Sequence, residues 1–440
     1  MTSSGKPTSP PPVQADQAEE GLDRKRIFPI LLIIFTNILG AGVILPVLPL
    51  YAEGQFQGTV FQITLLSTAY FGAQFLAAPW LGRLSDRYGR RPLLMISQAG
   101  TVAAFLIFIF AGPLGKGIDT LGLNLPLTGG MLMLYLARTL DGVTGGNITI
   151  AQAYISDITT SRQRAQGLGL LQAAFGMGFI FGPAFGGVLG NYGPVVPFIG
   201  AAVITLGTLI LTGLTLEESL PSEERSPGRK RDTERSLTSV LREYPTLGVI
   251  LAMGFIGSLA FSALPSVFSL YADRVIFAGA GYQGRVELYI GLMLTFNGLM
   301  QVVTQLALLK PLVERLGERR LLSLGQLSLL AGMIGIALLT RPVLATLMLA
   351  PFAFGRGVSE PGLQSLTTRF GTETTRGQLL GFYQSARSVA LIFGPIWAGY
   401  AFEAFSPRAV FLVGAGIIAL NLVLSLVLNG LRLPAEGEVG

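Results

Sequence analysis

Twelve apolar runs of about 20 residues or more follow one another along this chain, at approximately 27–51, 61–84, 93–113, 128–155, 165–190, 195–216, 246–272, 288–309, 321–340, 343–368, 377–402 and 408–431. A run of that length crosses a hydrocarbon layer of about 30 Å as a helix. Inside such a layer the backbone satisfies its polar groups only in helices or closed barrels. The pattern therefore predicts an all-α membrane protein of twelve transmembrane helices in two pseudo-symmetric six-helix bundles. Composition excludes the soluble alternative: 13% of the 440 residues are charged, about half the share of a soluble domain. The 57 glycines suit helices packed closely in lipid.

The runs divide the chain. Residues 1–26, rich in Pro and polar residues, read as a disordered cytoplasmic tail, and no apolar core marks them as a signal peptide. Residues 27–216 form a first six-helix half and 246–431 a second. The charged, Ser- and Pro-containing stretch 217–245 reads as a cytoplasmic linker, and 432–440 as a second tail. With both termini in the cytoplasm, 23 of the 31 Lys and Arg residues fall on that side, which fits a multi-pass protein of the inner (plasma) membrane. The net charge of +6 is accounted for by this bias, leaving no basic face for nucleic acid.

There is no Cys and no His. Disulfides, thiolate nucleophiles and the usual transition-metal ligands are thus excluded, no metal or cofactor is expected, and proton chemistry falls to Asp or Glu. A nucleotide loop and a nucleophile–base pair are likewise missing, so the chain does not read as an enzyme. The expected partners are a small-molecule substrate, protons and the lipid bilayer, with the protein a monomer.

An internal repeat supports two halves. Asp86-Arg87-Tyr88-Gly89-Arg90-Arg91 follows the second run, and Glu314-Arg315-Leu316-Gly317-Glu318-Arg319 follows the eighth. Gln172 with Phe181-Gly182-Pro183 in the fifth run is echoed by Gln384 with Phe393-Gly394-Pro395 in the eleventh. Such parallel repeats place a transporter's site between its halves.

On these residues the chain resembles the major facilitator superfamily. Gly82-Arg83-Leu84-Ser85-Asp86-Arg87-Tyr88-Gly89-Arg90-Arg91 matches that family's loop 2–3 motif, and Arg138-Thr139-Leu140-Asp141-Gly142 resembles its span-4 motif. Gly178, Gly182, Pro183, Gly186 and Gly187 resemble the span-5 antiporter motif, which is associated with proton-coupled exporters. Leu45-Pro46-Val47-Leu48-Pro49 and Ala153-Tyr154-Ile155-Ser156-Asp157 look most like the tetracycline/proton antiporters and their multidrug relatives. The resemblance implies export of small amphipathic compounds by proton antiport through alternating access. It also implies a gating role for Gly82, Asp86, Arg87, Gly89, Arg90, Arg91 and Asp157, with Asp86 near the start of span 11 and Arg90 on Asp157. Gly178, Gly182, Gly186 and Gly187 are expected on one packing face. Uptake of a sugar or organic anion, and lipid or glycolipid flipping, remain the alternatives on the same fold.

Charges within apolar runs are expensive and mark function. Arg138 and Asp141 share a helix face, as do Arg356 and Glu360. Arg387 stands in span 11 with no acid three or four residues away, so it is expected either to bind Glu360 on the neighbouring span 10 or to face the cavity and attract substrate. Asn37, Gln74, Asn297, Gln301 and Gln384 are the polar residues expected to join Arg138, Arg356 and Arg387 around a substrate cavity. The tetracycline antiporters place an aspartate where this chain has Asn37, and an amide carries no proton. Proton coupling therefore falls to Asp141 or Glu360.

Overall fold

A computed structural model describes residues 24–122, 126–220, 236–282, 284–372 and 375–431. The expected tails and the middle of the linker lie largely outside the described residues. The first half of the chain contributes α1 (Arg24–Phe56), α2 (Val60–Tyr88), α3 (Arg90–Asp119), α4 (Gly129–Thr144), α5 (Asn147–Ile158), α6 (Ser161–Gly190) and α7 (Val196–Thr215). After the linker come α8 (Leu237–Glu243), α9 (Pro245–Phe261), α10 (Ala263–Tyr271), α11 (Val286–Val303), α12 (Leu309–Leu316), α13 (Glu318–Leu338), α14 (Pro342–Thr368), α15 (Arg376–Ala404) and α16 (Pro407–Gly430). No strand occurs among the described residues. The protein is an all-helical membrane protein.

Among the described residues, ten helical stretches are long and apolar enough to cross a membrane. The expected fourth span is divided instead, into α4 and α5 by the non-helical pair Gly145–Gly146. Two glycines in succession weaken a helix by roughly 1 kcal/mol each relative to Ala. The backbone carbonyls at the break find other donors: Ser97 Oγ bonds to Thr144 O, and Gln74 Nε2 donates to Gly145 O at 2.8 Å. The expected eleventh span is the unbroken α15, whose Gln378, Gln384 and Arg387 lower its apolar character. The seventh is divided at Ser262 and ends in a π-helical turn at Ala272–Ile276, and a second π-helical turn at Thr304–Leu308 interrupts the eighth. Part of the expected soluble linker is helix α8, which buries Val240 in the second-half core.

Helix starts follow local chemistry. Thr59 and Gln62 form a reciprocal capping box at α2, as Thr160 and Gln163 do at α6. Within the first half α1 packs on α6, α3 on α4 and α7, and α2 on α4; within the second, α13 packs on α14 and α16, and α9 on α15. The main seams between the halves are α1–α10, α2–α15 and α6–α11, with smaller contacts of α1 on α11 and α2 on α10. One apolar core belongs to the first half (Ile30, Ile34, Tyr154) and one to the second (Leu247, Leu366, Tyr383), while the largest draws on both.

Bonds between the halves mark one end of the molecule. Arg274 pairs with Glu53, Phe61 N donates to Glu403 Oε1 at 2.8 Å, and Ser269 Oγ donates to Leu45 O at 2.7 Å. Deeper along the same seam, Thr68 Oγ1 donates to Ile392 O at 3.0 Å. Glu53, Phe61 and Glu403 all sit near helix termini on this side, opposite the Asp86 loop.

Candidate functional site

Two ion clusters lie within the helices, one in each half. In the first, Arg138 NH1 lies 3.5 Å from Asp141 Oδ2 and the guanidinium stacks on the Tyr70 ring at 4.2 Å. Asp141 Oδ1 also accepts from Thr101 Oγ1 at 2.9 Å. Three helices, α2, α3 and α4, thus supply the group. Gln74 sits a turn from Tyr70 and spends its amide on the α4–α5 break, acting as a helix tie.

In the second cluster Glu360 holds two arginines. Its Oε2 lies 3.0 Å from Arg356 NH2, and its Oε1 2.7 Å from Arg387 NH1. Arg387 therefore does not stand alone: its partner is 27 residues away in sequence, on α14. Arg387 also donates to Gln384 Oε1 at 3.0 Å and reaches Ser258 Oγ at 3.4 Å. The Arg356 guanidinium covers the Phe261 ring at 4.2 Å. Gln364 Nε2 donates to Glu360 Oε1 at 2.8 Å. Behind the cluster a small cavity of about 10 Å³ is lined by Arg356, Glu360, Ser359, Gln326, Tyr383 and Asn421, among others. Asn421 Oδ1 is buried there without a partner.

The clusters sit at similar depth. Tyr70 lies two residues beyond Thr68 on α2, and Arg387 five residues before Ile392 on the antiparallel α15. At 1.5 Å per residue both fall on the Asp86 side of the Thr68–Ile392 bond, by about 3 Å and 8 Å. Asn37 and Gln301 are half-buried and join neither cluster by a hydrogen bond. Asn297 is buried on α11 with its Oδ1 unpartnered.

The loop motif forms a network of its own. Gly89 takes φ 104°, a conformation suited to glycine, and ends α2 where α3 begins. Arg90 is buried and bridges Asp86 Oδ1 at 2.5 Å and Asp157 Oδ2 at 3.1 Å. The Asp157 contact matches the expectation. Asp86 differs: its carboxylate turns to Arg90, its own helical neighbour, and is 56% exposed. Arg91 NH2 donates to Gly213 O at 2.5 Å. Arg87 is exposed beside Tyr88, and a side chain at Gly82 would meet open space. The sequence reading missed Glu218, which caps α3: its carboxylate accepts from Arg90 N at 2.8 Å and Arg91 N at 3.2 Å. A charged acceptor at a helix N-terminus is favoured by the exposed amides and the helix dipole.

The span-5 glycines are split between two faces, which corrects the single face expected. A β-carbon on Gly178 would lie 2.7 Å from Phe35 O, on Gly182 2.7 Å from Gly42 Cα, and on Gly186 2.8 Å from Val43 O. These three meet α1. Gly187, one residue on, is rotated away, and its β-carbon would lie 2.6 Å from Glu287 O of the second half. Pro183 lies inside α6, and Pro183 O approaches Gly291 of α11.

A separate groove of about 540 Å³ runs between α2, α9, α15 and α16, lined by apolar residues that include Phe61, Leu259, Phe393, Trp397 and Ile417. It contains none of the ionic residues.

Two groups of membrane helices, each carrying a buried arginine–acid cluster and joined at one end, make this the architecture of a membrane transport protein. The chain belongs to the Major Facilitator Superfamily, whose sequence model matches residues 30–284 and 280–438. It is 31% identical over 372 residues to the class G tetracycline resistance protein of Vibrio anguillarum, covering 83% of this chain and 87% of that one. It is 29% identical over 394 residues to multidrug resistance protein 2 of Bacillus subtilis (strain 168), covering 87% and 90%. The solved nucleoside transporter NupG superposes with a TM-score of 0.71 at 12% identity, covering 91% of this chain and 99% of that one. That likeness concerns the fold.

Proposed function

We propose that this chain is a secondary active transporter that exports small amphipathic compounds by proton antiport, with twelve spans organised as halves 27–216 and 246–431. Its relatives are tetracycline resistance and multidrug resistance proteins. The observation that carries the reading is the pair of ion clusters, one per half, at similar depth on either side of the α2–α15 seam. An acid neutralised by a buried arginine exchanges that partner for a proton as its surroundings change. Asp141 is the first carrier, because its cluster contains one acid and one arginine, and Glu360 is the second acid. Asn37, Gln74, Asn297, Gln301, Gln384 and the three arginines line or support the substrate path.

The positive-inside bias puts both termini in the cytoplasm of the inner membrane. The bonds near Glu53, Phe61 and Glu403 then close the outer side, giving an inward-facing state. In this state Arg90, Asp86 and Asp157 hold the loop motif within the first half, ready for Asp86 to meet the second half when the molecule turns outward. The resistance proteins among its relatives favour drug export over lipid flipping. The protein works as a monomer.

Everted membrane vesicles energised to an inside-acid state test this. Adding a transported compound releases protons, seen as recovery of a quenched pH-sensitive dye. No proton release across a panel of cationic, neutral and anionic compounds, with the protein present at normal levels, overturns proton antiport.

A further inference from the structure

The two clusters differ in charge balance. In the first, the ionisable neighbours of Arg138 are Asp141 and Tyr70, so one cation faces one anion. In the second, the ionisable neighbours of Arg356 are Glu360, Arg387 and Tyr383, so two cations share one carboxylate. The remaining polar contacts come from neutral groups: Gln364 of α14, Ser258 of α9 and Gln384 of α15. Gln326 of α13 and Asn421 of α16 line the small cavity behind. No second acid faces either guanidinium among these groups.

Both oxygens of Glu360 are engaged, one by each arginine. A guanidinium has five N–H donors in a planar fork, so one carboxylate cannot saturate two of them. Arg356 and Arg387 are 11% and 15% exposed, and Gln384 beside Arg387 is exposed, so the cluster opens on one side to a visitor. The half-buried Phe261 ring beside Arg356 gives the same spot an apolar surface, while the buried Tyr383 ring backs Arg387 from the core side.

We propose that the second-half cluster is a subsite for an anionic group of the transported compound, specifically a carboxylate on an aromatic or aliphatic body. The carboxylate bonds to the spare N–H donors of Arg387 and Arg356, and the body lies against Phe261. This rests on the reading of the chain as a transporter and adds a substrate class to it. Glu360 serves as the resident counter-ion: it neutralises one arginine and leaves one positive charge for the substrate. Its protonation frees the second charge and strengthens carboxylate binding.

Three dansyl probes that differ only in the head group test the proposal: 6-(dansylamino)hexanoate, its primary amide, and the corresponding amine. Binding is read by dansyl fluorescence with purified protein in phosphatidylcholine nanodiscs. The wild type binds the carboxylate about tenfold more tightly than the amide, the scale of one charge-assisted contact. Arg387→Gln brings the two within about twofold, Arg387→Lys keeps most of the preference, and Glu360→Gln raises it above wild type, as the charge of the cluster requires. A wild-type ratio near one, or a preference that survives Arg387→Gln, overturns the proposal. So does equal weakening of carboxylate and amide, which would make Arg387 a packing residue. Proton-driven efflux of the amide in everted vesicles is measured alongside. Efflux without a carboxylate preference removes the subsite and leaves antiport. A carboxylate preference without efflux of any probe removes antiport and leaves the subsite.

Discussion

The two halves solve one problem in different ways. Each carries an arginine on the equivalent helix, Arg138 on α4 and Arg356 on α14, with an acid three or four residues on and an aromatic ring under the guanidinium at 4.2 Å. The first half stops there and closes the pair with Thr101. The second adds Arg387 from a neighbouring helix. A balanced pair favours a group that gains and loses a proton, because neutralising the acid leaves a single charge to be compensated. An unbalanced trio favours a group that holds an anion. Symmetry of fold thus coexists with a division of labour that the repeat alone does not reveal.

The sharpest way to break this comparison is to neutralise each acid. Asp141→Asn is expected to lower pH-gradient-driven efflux by about 100-fold, the scale of losing a positioned proton carrier. Glu360→Gln is expected to lower it by less than about tenfold on the same scale. Equal losses in a vesicle assay would erase the distinction between the halves.

A second comparison sets the two faces of α6 against each other. Gly182→Leu forces α1 away from a backbone contact and is expected to cost several kcal/mol, seen as loss of folded protein in detergent by size-exclusion chromatography. Gly298→Ala, at the loosest glycine position on the α11 side of that seam, where the added carbon lies 3.3 Å from Phe179 O, is expected to leave the folded yield unchanged. Loss of both would mean that the seam between halves is as rigid as the seam within one.

Gly89→Leu places a side chain at φ 104° and against Glu218, a strain of about 1–3 kcal/mol. Transport should slow by about tenfold for that strain while equilibrium binding is kept. Matched losses in rate and affinity would move the loop from the gate to the site or the fold. The smallest effect is expected from Glu218→Gln. It removes the charge and leaves one carbonyl oxygen where the carboxylate serves the two α3 amides with an oxygen each, a loss of about 1 kcal/mol, read as a shift of a few degrees in the thermal midpoint. A larger shift would show that Glu218 anchors more than the start of α3.

Much of this was legible in the sequence because membrane helices announce themselves by length and apolarity. The in-helix pairs Arg138–Asp141 and Arg356–Glu360 followed from spacing alone, and Arg90–Asp157 from motif resemblance. Arg387–Glu360 was one of two readings, the other being a free face on the cavity, and spacing could not choose between them because it does not say which helices meet. The α4–α5 break was present as Gly145–Gly146, but its stability depends on Ser97 and Gln74 from other helices. Glu218 lay in a stretch classed as linker by its charge, the same property that lets it cap α3. The single face assigned to the span-5 glycines failed for a geometric reason: adjacent residues in a helix differ by about 100°, so Gly186 and Gly187 cannot point the same way.

Those two directions have a mechanical meaning. Toward α1, three glycines spaced four apart meet the backbone of a helix of the same half, so α1 and α6 travel as one strut. Toward α11, the contact is backbone on backbone at Pro183, Gly187, Gly291 and Gly298, with a single side-chain bond from Thr295 to Ile180 O at 3.1 Å. The side chains that enter this seam are few, among them Val302 beside Gly176 and Ile180 beside Gly298, and so thinly meshed a surface slides more like a plain bearing than like gears. The strut can therefore swing past α11 without withdrawing large side chains from pockets, and the friction of each transport stroke is set by how few protrusions this one flank carries.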